Sequence, residues 1–137
     1  AADQAALIEE KQAPQFDQTL KFRLEQLMQQ EKPHLHPNLT LEQLSRKLDA
    51  PSREVSRAIN QGFGCNFFEF VSGYRIDEAK SRLADAANQA NILQIMYDSG
   101  FNSKSVFNTA FKKETGFTPS EYRRRTLQGD IRPEPPS

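Results

Sequence analysis

Helical periodicity extends through most of the chain and limits the folds it can adopt more than any other feature. Near the start, Leu20, Leu24, Leu27 and Met28 occupy the i, i+4, i+7 and i+8 positions, which places them on one side of an α-helix. No segment keeps the apolar–polar alternation that is typical of a half-buried strand. The pattern therefore predicts an all-α fold of about seven helices.

Start and stop signals set the limits of the predicted helices. Thr40 with Gln43 has the form of a capping box, Ser103 and Thr118 suit the N-cap position, and Gly116 suits the residue after a helix. The predicted helices cover residues 17–31, 41–48, 52–60, 66–84, 92–98, 104–114 and 119–126.

A short helix, a tight turn and a second helix occur twice, at about 40–62 and at about 92–114. This order is that of the helix-turn-helix motif. The helix at about 66–84 joins the two units, so a domain at 16–127 is predicted to contain two homeodomain-like helix-turn-helix subdomains and a long linker helix. The second helix of each unit has one apolar face that we expect to be buried: Val55, Ala58 and Ile59 in the first, and Val106, Phe107, Ala110 and Phe111 in the second.

The opposite face of each second helix carries side chains that suit the base edges of double-stranded DNA. Arginine donates two hydrogen bonds to guanine, asparagine both donates to and accepts from adenine, and serine or threonine can serve either base. The candidate base-reading residues are Arg53, Ser56, Arg57 and Asn60 in the first unit and Lys104, Ser105, Asn108 and Thr109 in the second. The candidate phosphate contacts are Lys112, Lys113 and Arg123.

The charge balance of the whole chain hides a local surplus. Eighteen basic residues cancel eighteen acidic ones, but residues 91–127 contain six basic residues and three acidic ones. Because a polyanion responds to the local field, zero net charge does not exclude nucleic acid as a partner. The predicted linker helix is about 28 Å long at 1.5 Å per residue, and major grooves recur about every 34 Å on one face of B-DNA. One chain could therefore occupy two successive major grooves.

Residues 100–124 resemble the signature of the AraC/XylS family of bacterial transcription regulators. The positions that carry the resemblance are Gly100, Phe101, Ser103, Ser105, Phe107, Phe111, Lys112, Lys113, Gly116, Pro119, Tyr122 and Arg123. Upstream, residues 39–79, which include Tyr74, Arg75 and Ile76, are similar to the family's first helix-turn-helix unit and linker helix.

What the resemblance implies is a module that binds promoter DNA and regulates transcription, usually as an activator that contacts RNA polymerase. It also implies that the second helices read bases, through Arg53, Ser56 and Arg57 and through Lys104, Ser105, Asn108 and Thr109. A sensor or dimerisation domain would lie in a missing part of the parent chain. We expect this fragment to be monomeric and cytoplasmic, although the parent protein could be anchored in a membrane.

Other kinds of chemistry have little support in the sequence. No nucleophile–base motif and no glycine-rich phosphate loop occurs, so we predict neither an enzyme nor a cofactor. His34 and His36 lack a nearby third metal ligand, and the single cysteine, Cys65, cannot form an internal disulfide. A helical adaptor that binds a partner protein through the same polar faces stays open as an alternative.

The two ends of the chain differ from its middle. Residues 1–15 are predicted to be a leader or linker from a missing N-terminal region. Residues 128–137, with three prolines and a glycine, are predicted to be a disordered tail. No apolar run approaches the roughly 20 residues that a membrane-spanning helix needs.

Overall fold

A computed structural model describes residues 16–131. Within that range the chain forms α-helices and no strands, which confirms the predicted all-α fold. The helices are α1 (Gln18–Gln30), α2 (Leu41–Leu48), α3 (Ser52–Arg57), α4 (Phe67–Ala84), α5 (Ile92–Asp98), α6 (Lys104–Thr115) and α7 (Pro119–Leu127). A 3-10 turn, Pro33–Leu35, follows α1, and a π-helical turn, Ala58–Gly62, continues α3. None of these helices has the length and apolar character required to cross a bilayer.

Side-chain caps explain why helices of only two or three turns form at these places. The Thr40 hydroxyl accepts a hydrogen bond from the Gln43 backbone N–H, and the Gln43 side chain accepts one from the Thr40 N–H, each at 3.1 Å. This capping box satisfies two backbone donors that an uncapped helix leaves open. At the other end of the chain Gly116, with φ of 81°, ends α6 in the left-handed conformation that glycine adopts without strain.

The linker helix α4 belongs to two hydrophobic cores at once. Its first half contributes Phe70 and Val71 to a core formed with α1, α2 and α3. Its second half contributes Ile76, Ala79 and Leu83 to a core formed with α5, α6 and α7. Each helix-turn-helix unit is therefore packed against a different part of the same helix.

The second helix of the first unit ends differently from the prediction. We expected an α-helix over 52–60, but regular α-helical geometry stops at Arg57 and the wider turn Ala58–Gly62 follows. Ala58 and Ile59 are still fully buried, as predicted. Asn60 lies on the wider turn and not on the α-helix itself.

Val106 was predicted to be buried and is not, because its side chain is 37% exposed. At 100° per residue it lies about 120° around α6 from the direction shared by Phe107 and Phe111. Those two phenylalanines are buried and define the inner face of α6. The apolar character of Val106 therefore gave the wrong face.

Residues 128–131 of the predicted tail are described, whereas the rest of that tail and the predicted leader at 1–15 lie outside the described residues. The Asp130 backbone N–H donates to the Arg125 carbonyl at 2.9 Å, which closes the end of α7. Ile131 packs against the second core. Gly129, with φ of 79°, turns the chain back on the helix at this point.

Candidate nucleic-acid interface

The four candidate residues of the first unit share one exposed surface. The Arg53 side chain is 83% exposed and that of Arg57 is 44% exposed. Ser56 is half-buried at the flank of this face, and the side-chain amide of the exposed Asn60 donates to the Ser56 hydroxyl at 3.3 Å. Val55, on the opposite side, is fully buried and holds this short helix on the first core.

A single carboxylate lies beside both arginines of this surface. Glu54 Oε1 is 3.9 Å from Arg53 Nε and 3.7 Å from Arg57 Nη1. Exposed ion pairs of this kind contribute roughly 0–1 kcal/mol. A phosphate or a guanine edge can therefore compete with Glu54 for either guanidinium at small cost.

The candidate residues of the second unit form a longer surface, and the exposed Glu114 follows Lys113 at its end. All six of its members are exposed: Lys104, Ser105, Asn108, Thr109, Lys112 and Lys113. Phe107 and Phe111 anchor the other side of α6 in the second core. Ser103 caps the helix by accepting from the Val106 backbone N–H at 3.3 Å, so the first turn of this surface is held in place.

Arg123, predicted as a phosphate contact, is half-buried and its guanidinium is directed toward backbone carbonyls of its own subdomain. Its Nη1 donates to the Ala90 carbonyl and its Nη2 to the Asn88 carbonyl, each at 2.6 Å. Both terminal nitrogens of the half-buried guanidinium are thereby committed to the loop before α5. The acceptors are backbone groups more than thirty positions away in sequence, and no sequence pattern marks them.

An apolar groove that was not predicted runs between α4 and α6, with a volume of about 340 Å³. Ser105 and Thr109 lie on its α6 wall, and Phe68, 58% exposed, lies on its α4 wall. No local pattern marks Phe68 as exposed, because the successive residues Phe70 and Val71 on the same helix are both buried. The groove borders the second surface directly, so a group that enters it meets two of the candidate base-reading side chains.

The titratable groups elsewhere offer no reactive centre. Burial lowers the pKa of His34 to about 4, so this histidine, which packs 5.5 Å from the Tyr74 ring, is neutral. Burial, with a smaller contribution from Glu69, raises the pKa of the Cys65 thiol above its ordinary value, which disfavours the nucleophilic thiolate. Among residues 16–131 no three histidine, cysteine, aspartate or glutamate side chains are grouped as metal ligands.

The sequence of this chain is similar to those of known helix-turn-helix proteins. The family model of a helix-turn-helix domain matches residues 44–125, more than half of the chain. A transcriptional activator of Rhizobium meliloti, RhrA, is 39% identical over 75 residues, which are 53% of this chain and 24% of that protein. The chain thus spans about a quarter of the length of this relative.

Solved structures show the same fold. The C-terminal domain of AraT, a response regulator from Geobacillus stearothermophilus, superposes with a TM-score of 0.66 at 29% identity, over 80% of this chain and 87% of that one. A transcriptional regulator with an AraC-type DNA-binding domain from Chromobacterium violaceum gives a TM-score of 0.68 at 20% identity, over 81% of this chain and 95% of that one. With the matched family model and the two helix-turn-helix units on one linker helix, the chain belongs to the AraC/XylS family of DNA-binding transcription regulators, which are not enzymes.

Proposed function

We propose that the chain binds double-stranded promoter DNA in a sequence-specific manner, with α3 and α6 in successive major grooves. The observation that carries the proposal is the pair of exposed polar surfaces, each on the second helix of a helix-turn-helix unit and each backed by buried apolar residues. Helix α4 has 18 residues, which is about 27 Å. That length, with its flanking turns, is comparable to the roughly 34 Å between grooves, and modest DNA bending can absorb the difference.

The two surfaces have different assignments within this proposal. In the first, Arg53 and Arg57 are placed to reach guanine edges, with Ser56 and Asn60 beside them. In the second, Asn108 suits adenine, and Lys104, Ser105 and Thr109 reach neighbouring bases. Lys112 and Lys113 continue the second surface toward the end of α6 and would meet phosphates.

The regulatory role of the parent protein is also a proposal. RhrA is named a transcriptional activator, and we infer that the parent of this chain activates transcription in the bacterial cytoplasm through RNA polymerase. A sensor or dimerisation domain elsewhere in the parent, which could also be anchored in a membrane, would supply the signal. The fragment itself would bind as a monomer.

Selection of binding sites from a random duplex pool, followed by footprinting, tests the proposal. We expect one bipartite site whose halves lie about one helical turn apart. Uniform weak binding to every duplex, with no protected sequence, would contradict the proposal and favour the protein adaptor.

The salt dependence of binding to the selected site gives a second test. Each phosphate contact steepens the fall of log K with log salt by nearly one unit on B-DNA, so Lys112→Ala should lower the slope by about one. Lys47→Ala removes the same charge from α2, where Lys47 lies 3.6 Å from Glu31, and serves as the control. A slope that Lys112→Ala leaves unchanged would place this ammonium away from the DNA.

A further inference from the structure

Arg75 on the linker helix binds a loop of the first subdomain through two backbone carbonyls. Its Nε donates to the His34 carbonyl and its Nη2 to the His36 carbonyl, each at 2.7 Å. These two bonds use the planar fork of the guanidinium, whose donors point in fixed directions. The turn between α1 and α2 is therefore held against α4 by a side chain forty positions later in the sequence.

The other side of the same turn touches the second subdomain. Gly100 lies in the turn between α5 and α6 with φ of 98°, and a Cβ atom at this position would overlap the His34 carbonyl oxygen. The guanidinium of Arg75 also lies over the Phe101 ring, 6.0 Å from its centre. The His34 carbonyl is thus enclosed between the linker helix and the turn of the second helix-turn-helix unit.

That turn determines where the second reading helix begins. Phe101 is buried against Phe107 of α6, with ring centres 5.1 Å apart. Ser103, two residues after Phe101, is the N-cap of α6. A displacement of Gly100 and Phe101 would therefore carry the start of α6 with it.

A series of ion pairs also connects the two subdomains. Lys32 Nζ lies 3.2 Å from Glu78 Oε2, and Glu78 Oε1 lies 3.1 Å from Arg82 Nη2. Arg82 Nη1 in turn lies 3.8 Å from Asp98 Oδ2 at the end of α5. The series connects the end of α1 to the second subdomain across α4. Each pair is partly exposed and contributes modestly alone, but all of them oppose the same relative motion of the two units.

We propose that Arg75 is a positioning residue that sets the distance and angle between the two reading helices by clamping the 33–36 turn against the Gly100–Phe101 turn. This inference rests on the proposed function, since it assigns the contact a role in binding two grooves at once. A rigid connection makes the second half-site contact intramolecular, and its benefit is lost when the geometry does not match the span. Arg75 would thereby affect DNA affinity without touching DNA.

Two substitutions disturb the clamp from opposite sides. Arg75→Met removes both donors and keeps an unbranched stem, while Gly100→Ala places a methyl group against the His34 carbonyl and changes no charge. Arg124→Met is the matched control, because it removes the same charge from an exposed arginine of α7. Affinity is measured for the selected duplex, for the same duplex with the second half scrambled, and for duplexes whose half-sites are moved by one or two base pairs.

For the unsubstituted chain we expect the second half-site to raise affinity by roughly 100-fold, the lower end of the range for linked modules. Arg75→Met and Gly100→Ala should each reduce that gain about tenfold and accept altered spacings more readily. Both variants should bind the half-scrambled duplex with the affinity of the unsubstituted chain. Arg124→Met should keep the gain and the spacing optimum. If both clamp variants keep the full gain and the sharp optimum, the positioning role is wrong.

A measurement without DNA separates this inference from the proposed function. Spin labels at Glu42 on α2 and Ser120 on α7, both exposed, with Cys65 replaced by serine, report the distance between the subdomains by electron–electron resonance. We expect one narrow distance distribution in the unsubstituted chain and a broader or shifted one in both clamp variants. An unchanged distribution would overturn the positioning role of Arg75. If the second half-site does not raise the affinity of the unsubstituted chain, two-groove binding is overturned instead.

Discussion

Arginine side chains in this protein have two kinds of partner. Arg57 is exposed on the first candidate surface, where its Nη1 lies 3.7 Å from the Glu54 carboxylate. Arg75 and Arg123 instead donate to pairs of backbone carbonyls in distant loops. Carbonyl partners within the protein occupy part of the donor set of Arg75 and of Arg123, which favours a structural role for these two arginines.

Replacement of Arg57 tests the reading assignment. Arg57→Ala should cost about 1–3 kcal/mol of binding free energy on the selected duplex and relax the preference at one base position. The measurement is a set of titrations against single-base variants of the site, with Arg46→Ala, an exposed arginine of α2, as the control. Equal weakening on specific and random DNA would identify Arg57 as a phosphate contact.

His34 links the stability of the domain to pH. Its side chain is 3% exposed, and burial lowers its pKa from 6.5 to about 4 even though Glu78 partly opposes the shift. Between these two pH values the unfolded chain takes up the proton and the folded chain does not, so acidification favours unfolding. Above pH 6.5 the group makes no pH-dependent contribution.

We therefore expect the free energy of unfolding to fall as the pH drops from 6.5 to 4, with a share of up to about 3 kcal/mol from His34. Urea unfolding followed by circular dichroism at a series of pH values measures it. In His34→Leu this share should be absent, so its stability relative to the parent chain should rise on acidification. The control is His36→Leu, at an exposed position; a His34→Leu difference that stays constant from pH 7 to 4 would contradict the assignment.

At the scale of single elements, local signals set several helix starts and the end of α6, whereas tertiary packing sets the end of α3. The caps at Thr40, Ser103 and Thr118 were predicted from the residues and are present. The π-helical end of α3 was not predicted, because Ala58 and Ile59 suit an α-helix as well as the wider turn that the surrounding core selects. Val106 was predicted to be buried because its side chain is apolar, but it lies away from the face that Phe107 and Phe111 bury.

The start of the linker helix depends on one reciprocal cap. The Asn66 side chain accepts from the Glu69 backbone N–H at 2.8 Å, and the Glu69 side chain accepts from the Asn66 N–H at 3.3 Å. Asn66→Ala should lower the free energy of unfolding by about 1 kcal/mol, and Asn66→Asp, which keeps an acceptor, should lower it much less. Denaturant unfolding measures both, and equal losses in the two variants would show that the cap is not what stabilises this end.

At the scale of the whole molecule, the two helix-turn-helix units share helix α4. Helix α4 supplies buried side chains to both cores. Unfolding of one core therefore removes packing that stabilises α4, and the other core depends on the same helix. Contact between the 33–36 turn and Gly100 adds a second connection. The two units should therefore unfold together.

Core truncations on either side test this coupling. Leu24 belongs to the first core and Phe111 to the second, and both are fully buried. Leu24→Ala should cost about 2–5 kcal/mol and Phe111→Ala about 3–5 kcal/mol, and each should move a single transition that far-ultraviolet and near-ultraviolet probes report alike. Phe68→Ala, at an exposed phenylalanine, is the control; two separate transitions in either core variant would show that the units unfold independently.

The helical fold and the exposed polar faces of α3 and α6 could be predicted because both depend on local patterns, whereas DNA reading by these faces stays a prediction. Helical spacing and cap residues act within a few positions, and a polar face on a second helix follows from the same spacing. The roles of Arg75 and Arg123, the burial of His34 and the groove beside Phe68 depend on elements tens of residues apart. Contacts of this kind depend on tertiary packing, and no local sequence pattern predicts them.

The two reading surfaces carry different side chains and succeed one another along a single chain, so no rotation exchanges them. A palindromic target mirrors a protein with two-fold symmetry, whereas the proposed binding of two different surfaces on one chain requires no such symmetry in the DNA. A target bound in the proposed way has a direction: a reversed copy would be bound equally well, yet with the opposite end of the domain facing the gene. Orientation along the chromosome is thereby information that a single copy of the chain can convey.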